Sequence, residues 1–213
     1  MTVSFVVFDW DGTLADSKAR IVDTLRKTLT ALGAPAGSDE ELASVIGLAL
    51  PDCASALVPD ADARFAEAFV QGYRDTWLAS DAPPTETFEG VERTLAALTE
   101  RGLPLAVATG KNRLGLDREL KNTGLGAYFV ATRCADETRS KPHPQMLHEL
   151  LEHVGVAAEQ TILVGDSHWD MKMAAAASVR SVAVSYGAQP IERLLEHDPW
   201  ARIDHIEELL QRL

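Results

Sequence analysis

From Phe88 onward the chain alternates between short β-branched or aliphatic runs and longer stretches whose apolar residues recur at helical spacing. The runs at 103–108, 128–132, 161–164, 181–184 and 201–203 read as strands. The stretches at 90–100, 113–122, 145–154, 169–177, 191–196 and 205–212 read as helices, several closed by glycine (Gly102, Gly124, Gly155). Strands and helices in strict alternation fold as a doubly wound parallel sheet, because each parallel pair needs a crossover. In such a sheet, ligands bind outside the carboxyl ends of the strands.

One further strand precedes this series. Residues 3–8 are β-branched and aromatic, then stop at Asp9-Trp10-Asp11-Gly12-Thr13. Such a run reads as a strand buried on both faces. In an extended backbone, positions i and i+2 point to the same side, so Asp9 and Asp11 can share one pocket. Two adjacent carboxylates repel unless a proton or a cation compensates. A hard divalent cation with oxygen ligands answers that need, and a solvated turn whose acids cap the next helix is the plain alternative.

Between the first strand and the regular series the pattern is helical throughout. Ile21, Val22, Leu25, Leu29 and Leu32 share a helical face up to Gly33, and further helices fit at 39–46, 51–57 and 60–78. Ser80-Asp81-Ala82-Pro83-Pro84-Thr85 reads as a linker that pairs with 14–17 to make a two-strand hinge. The expected division is an α/β core of residues 1–14 and 85–213 and an inserted helical domain of 15–84.

With 46% hydrophobic residues the chain has enough apolar material for a full core. A net charge of −12 argues against nucleic acid as a partner, which Lys and Arg would have to hold. No apolar run reaches the roughly 20 residues that span a bilayer, and no secretory signal is evident in Met1-Thr2-Val3-Ser4. Cys53 and Cys134 have no metal-ligand spacing and suit a reducing, cytoplasmic setting.

Four polar clusters stand at strand or loop ends: Asp9-Trp10-Asp11, Thr109-Gly110, Lys141-Pro142 and Gly165-Asp166-Ser167-His168-Trp169-Asp170. Each has an ordinary reading as a helix cap, a solvated lysine or a helix-face charge. Together, on one edge of a parallel sheet, they have complementary chemistry. In this order they resemble the four motifs of the haloacid dehalogenase superfamily, in its branch with a helical cap after the first strand. The phosphoglycolate-phosphatase-like members are most similar. The resemblance covers the whole chain and implies a Rossmann-like core with an inserted all-helical cap domain.

It also implies a Mg²⁺-dependent phosphatase acting on a small phosphorylated metabolite such as 2-phosphoglycolate. Asp9 would be the nucleophile that forms an aspartyl-phosphate, and Asp11 the general acid and base, with the higher pKa of the two. Asp9, the Asp11 main-chain carbonyl and Asp166 would hold the metal, with Asp170 as an alternate or outer ligand. Thr109 and Gly110 would bind the phosphoryl oxygens, and Lys141 would face both Asp9 and the phosphate. Lys18, at the start of the first cap helix, and Arg113 or Lys111, after the second motif, are candidate substrate contacts. Trp10 is expected to pack beneath the hinge, and His143 and His168 are not needed by the reaction.

Rival readings within the family differ in chemistry. Dehalogenases lack the second acid followed by Gly-Thr, which this chain has as Asp11-Gly12-Thr13. Sugar phosphomutases of the beta-phosphoglucomutase type carry basic cap residues, whereas 39–58 here contains no Lys or Arg. A non-catalytic binding protein would be expected to have lost a catalytic residue. The chain is expected to be a monomer or a homodimer.

Overall fold

The computed structural model describes residues 2–81 and 83–213; Met1, and Ala82 within the expected linker, lie outside them. The first strand, β1 (Phe5–Phe8), is fully buried. Phe5 and Val7 join one apolar cluster and Val6 and Phe8 another, so the strand divides two cores. The other strands are β2 (Leu105–Thr109), β3 (Phe129–Cys134), β4 (Thr161–Gly165), β5 (Arg180–Val184) and β6 (Ala201–Ile203). They form one parallel sheet in the order β3-β2-β1-β4-β5-β6. That is the Rossmann-like, doubly wound order, with the reversal between β1 and β4.

Helices α1 (Lys18–Ala31), α2 (Asp39–Ala43), α3 (Leu50–Leu57) and α4 (Ala63–Ala79) follow β1 in the chain. Ile21, Leu25, Leu29, Leu42 and Phe69 build a separate apolar cluster among them. Next come α5 (Val91–Glu100), α6 (Arg113–Thr123), α7 (Gln145–Val154), α8 (His168–Ala176), α9 (Ile191–Leu195) and α10 (Leu209–Arg212). Leu95 and Leu98 of α5 and Leu116 of α6 cover one face of the sheet. Met146 and Leu150 of α7 and Met173 of α8 cover the other. No helix among the described residues is long and apolar enough to cross a membrane.

Two expectations shift. The helix expected at 39–46 ends at Ala43. Beyond it the Ser44 carbonyl accepts hydrogen bonds from Trp169 Nε1 and Gln189 Nε2, both 3.0 Å away, and Gly47 turns with a φ of +103°. Those bonds to the sheet side hold the segment out of the helix. The two connections to the helical block do pair, but beyond the expected 80–85 segment. Asp16 N–H donates to the Glu86 carbonyl, Phe88 N–H donates to the Leu14 carbonyl, and Ala15 bridges Thr87. Pro83 and Pro84 lack the N–H groups that such pairing uses.

Candidate active site

The sheet reversal between β1 and β4 places Asp9 and Asp166 side by side. Asp9 N–H donates to the Val164 carbonyl at 2.9 Å, so the aspartate begins where the ladder ends. The next turn is tight, and Gly12 sits at φ +80°. A Cβ at Gly12 would come within 2.1 Å of Asp166 Oδ2, so only glycine fits. Asp166 is fully buried, its Oδ1 accepting from Thr13 Oγ1 at 3.0 Å and its Oδ2 from Ala188 N–H at 2.7 Å.

Lys141 arrives from the loop before α7 and is 1% exposed. Its Nζ lies 2.8 Å from Asp9 Oδ1 and 2.7 Å from Asp170 Oδ1. Burial alone would lower the lysine pKa, but Asp170 and Asp9 more than reverse that and hold it above its ordinary value. Ser167 caps α8 in a reciprocal box with Asp170, whose Oδ2 accepts from Ser167 N–H at 3.1 Å and from Ser167 Oγ at 2.5 Å. Both oxygens of Asp170 are therefore engaged.

Asp9 Oδ1 also accepts from Trp10 N–H at 2.6 Å, while Asp9 Oδ2 is buried without a partner among the described residues. Burial pushes the Asp9 carboxyl well above the usual range; Lys141 opposes this, and Asp170 and Asp166 add to it. Burial, then Asp170, pushes Asp166 up to about 7, against the pull of the Ala188 amide and the Thr13 hydroxyl. Oxygens of Asp9, Asp166 and Asp170 all lie within 4.8 Å of one another. A partnerless buried carboxylate oxygen beside two more acids is costly, and it fits a bound divalent cation.

Asp11 faces a different set of groups. Ser17 Oγ at 2.7 Å and Lys111 Nζ at 2.8 Å both donate to the same oxygen, Asp11 Oδ1. Lys111 lies 5.2 Å from the centre of the Trp77 ring, and the Arg20 guanidinium lies 4.0 Å from it. Thr109, 1% exposed at the end of β2, accepts from Lys111 N–H at 3.2 Å. The two acids expected to differ by pKa thus differ first in their partners: Asp9 meets Lys141, and Asp11 meets Lys111.

The segment between α2 and α3 descends onto these residues. A Cβ on Gly110 would lie 2.4 Å from the Gly47 carbonyl oxygen and 2.6 Å from that of Leu48. Ser140 Oγ accepts from Ala49 N–H at 3.0 Å and donates to the Lys141 carbonyl at 3.3 Å, tying the same segment to the Lys141 loop. A cavity of about 410 Å³ opens from Asp9, Asp11, Thr109 and Gly110 up between this segment, α1, α4 and α6.

Two candidate contacts lie elsewhere. Lys18 is exposed and does not line the cavity. Arg113 also lies outside the lining, bound to Asp117 at 3.0 Å, Glu137 at 2.8 Å and Thr132 Oγ1 at 2.8 Å. Their place at helix starts brought them near the motifs in sequence, but the helices turn them outward. Lys111 stands in the cavity instead. Sequence reasoning missed Ser17 and Trp77; the i, i+4 spacing of Tyr73 and Trp77 was the available signal. Trp10 is fully buried, edge-on to Phe129, and shares a cluster with Leu14 and Ala15 near the paired connections. His168 bonds Gln189 and His143 bonds Arg139.

A family model described as haloacid dehalogenase-like hydrolase matches residues 6–184. The pyrophosphatase PpaX of Bacillus pumilus is 31% identical over 211 residues, covering 98% of this chain and 95% of that protein. The phosphoglycolate phosphatase of Pectobacterium atrosepticum is 31% identical over 210 residues, covering 96% and 90%. A haloacid dehalogenase-like family hydrolase from Streptococcus pneumoniae shares the fold, with a TM-score of 0.85 at 24% identity over 99% of this chain and 98% of that one.

Proposed function

The chain belongs to the haloacid dehalogenase-like hydrolases, and from that premise we propose that it is a Mg²⁺-dependent phosphatase working through an aspartyl-phosphate on Asp9. The observation that carries this reading is the buried, partnerless Asp9 Oδ2, with Lys141 on the other oxygen of the same carboxylate and Asp166 beside it.

In the first step the Asp9 carboxylate attacks phosphorus, an O–P bond forms, and the ester P–O bond breaks. Asp11 gives its proton to the departing alkoxide. Its Oδ1 is taken by Ser17 and Lys111, so Oδ2 is the oxygen that carries the proton. In the second step Asp11 takes a proton from water, water attacks phosphorus, and the Asp9–phosphorus bond breaks to release phosphate. Thr109 and the Gly110 N–H hold the phosphoryl oxygens, and Lys141 balances charge on Asp9. Asp9, Asp166 and the Asp11 main-chain carbonyl would hold Mg²⁺, which supplies charge stabilisation at the transferring phosphoryl group. Asp170 holds the Lys141 ammonium on Oδ1 and Ser167 on Oδ2, and stands as an alternate or outer ligand.

Residues 15–84 act as a cap over a core of 1–14 and 85–213, and the paired connections at Ala15 and Thr87 form its hinge. The absence of Lys and Arg from 39–58 supports hydrolysis over sugar phosphomutase chemistry. Two buried free thiols suit the cytoplasm. The substrate is a small phosphorylated metabolite, with 2-phosphoglycolate as the reference compound after the relative named for it. The test is p-nitrophenyl phosphate hydrolysis after metal removal: loss with EDTA and return with Mg²⁺ supports the reading, and full activity in EDTA defeats it.

A further inference from the structure

We propose that the preferred substrate is a phosphate monoester of an uncharged alcohol bearing an apolar group of ring size, ahead of esters with a second anion. This rests on the phosphatase reading above and narrows its substrate.

The cavity over Asp9 has about 410 Å³, within the roughly 300–1,000 Å³ typical of sites that enclose ligands of drug size. That is ample room beyond a phosphoryl group and a two-carbon acid. Its upper wall is apolar: Ile21 and Leu25 of α1, Ile46 of the descending segment, and Val70, Tyr73 and Trp77 of α4. The Tyr73 and Trp77 rings stack, with centroids 6.0 Å apart and planes 19° apart. At the cavity edge Leu78 is 60% exposed and Leu114 77% exposed, so α4 and α6 both bring an apolar side chain to it.

The charges in the cavity point the same way. Lys111, in the lining, is held by Asp11, and Lys141, buried outside the lining, is held between Asp9 and Asp170. Glu119, 5% exposed, stands in the wall as a further acid. The remaining cations of the lining, Arg74 and Arg118, are solvent-exposed. A carboxylate or second phosphate drawn deep under the cap, away from the two arginines at the exposed rim, would therefore lose water beside lysines that are already engaged, which is costly. An alkyl or aryl group would meet a wall already built for it.

The experiment compares kcat/KM, with Mg²⁺ present, for ethyl, butyl and hexyl phosphate, benzyl phosphate, 2-phosphoglycolate and pyrophosphate. The alkyl leaving groups have matched basicity, so their differences report binding of the chain. The expected rise is about fourfold per methylene, the equivalent of roughly 0.8 kcal/mol, and benzyl phosphate exceeds 2-phosphoglycolate by at least about tenfold. Val70→Lys, which puts a cation into the half-buried wall, flattens the alkyl series and raises 2-phosphoglycolate relative to benzyl phosphate. A flat alkyl series in the unaltered enzyme, or 2-phosphoglycolate or pyrophosphate ahead of benzyl phosphate, overturns the inference while leaving the phosphatase reading intact. No turnover of any ester, p-nitrophenyl phosphate included, overturns both.

Discussion

Lys141 Nζ lies 2.8 Å from Asp9 Oδ1 and 2.7 Å from Asp170 Oδ1, with all three side chains shut away from water. One cation thus serves two acids at the floor of the site. Removing it strands both carboxylates, and breaking a buried pair from one side costs about 3–5 kcal/mol. Lys141→Met is expected to lower stability by that order in urea denaturation. It should also lower kcat by at least about a hundredfold, in the range seen when one electrostatic stabiliser is lost.

Lys111 and Ser17 hold Asp11 by one oxygen. If their part is to orient that acid, Lys111→Met lowers kcat by about tenfold or more, a part of the roughly 10²–10⁴ that general acid–base catalysis is worth, and leaves KM nearly unchanged. In an Asp11→Asn background the same change then has little further effect. Additive losses in the double-mutant cycle would show that Lys111 acts elsewhere.

Gly110 lies under the carbonyls of Gly47 and Leu48, where a methyl group would approach to 2.4 and 2.6 Å. Gly110→Ala leaves every reactive side chain in place but forces the segment between α2 and α3 upward. The expected result is a fall in kcat/KM of about ten- to a hundredfold, as misplacement near 1 Å commonly produces, with little change in thermal stability. Unchanged kinetics would mean that the segment has no part in closing the site.

Burial pushes the thiols of Cys53 and Cys134 up to about 12. The folded protein therefore keeps both protonated where the unfolded chain ionises, near pH 9. Stability linked to these thiols is full below about pH 8 and falls as pH rises through 9 toward 12, because the unfolded state releases its protons first. Ellman's reagent at pH 8 is expected to react with neither thiol until urea unfolds the chain. Rapid reaction of the native protein would contradict this burial.

Much of this architecture was legible from residue pattern. The runs that became β1, β2 and β4 are short, apolar and sharply bounded, so parallel strands with polar ends followed directly, and Asp9, Thr109, Lys141 and Asp166 do meet at one edge. What escaped was set by contacts distant in sequence. Nothing in 39–46 announces that Trp169 and Gln189 take the Ser44 carbonyl and stop the helix at Ala43. Arg113 and Lys111 are two residues apart, and only the turn into α6 decides that Arg113 meets Glu137 while Lys111 meets Asp11. Lys18 was near the site along the chain, yet α1 carries it to the exposed side.

The most direct measurement is kcat for p-nitrophenyl phosphate with Mg²⁺ in Asp9→Asn beside the unaltered enzyme. The substitution keeps the shape of the side chain and removes its nucleophilic charge. If Asp9 forms the phosphoryl-enzyme, kcat falls by at least about a thousandfold, in keeping with loss of a catalytic nucleophile. Turnover near that of the unaltered enzyme would contradict the account.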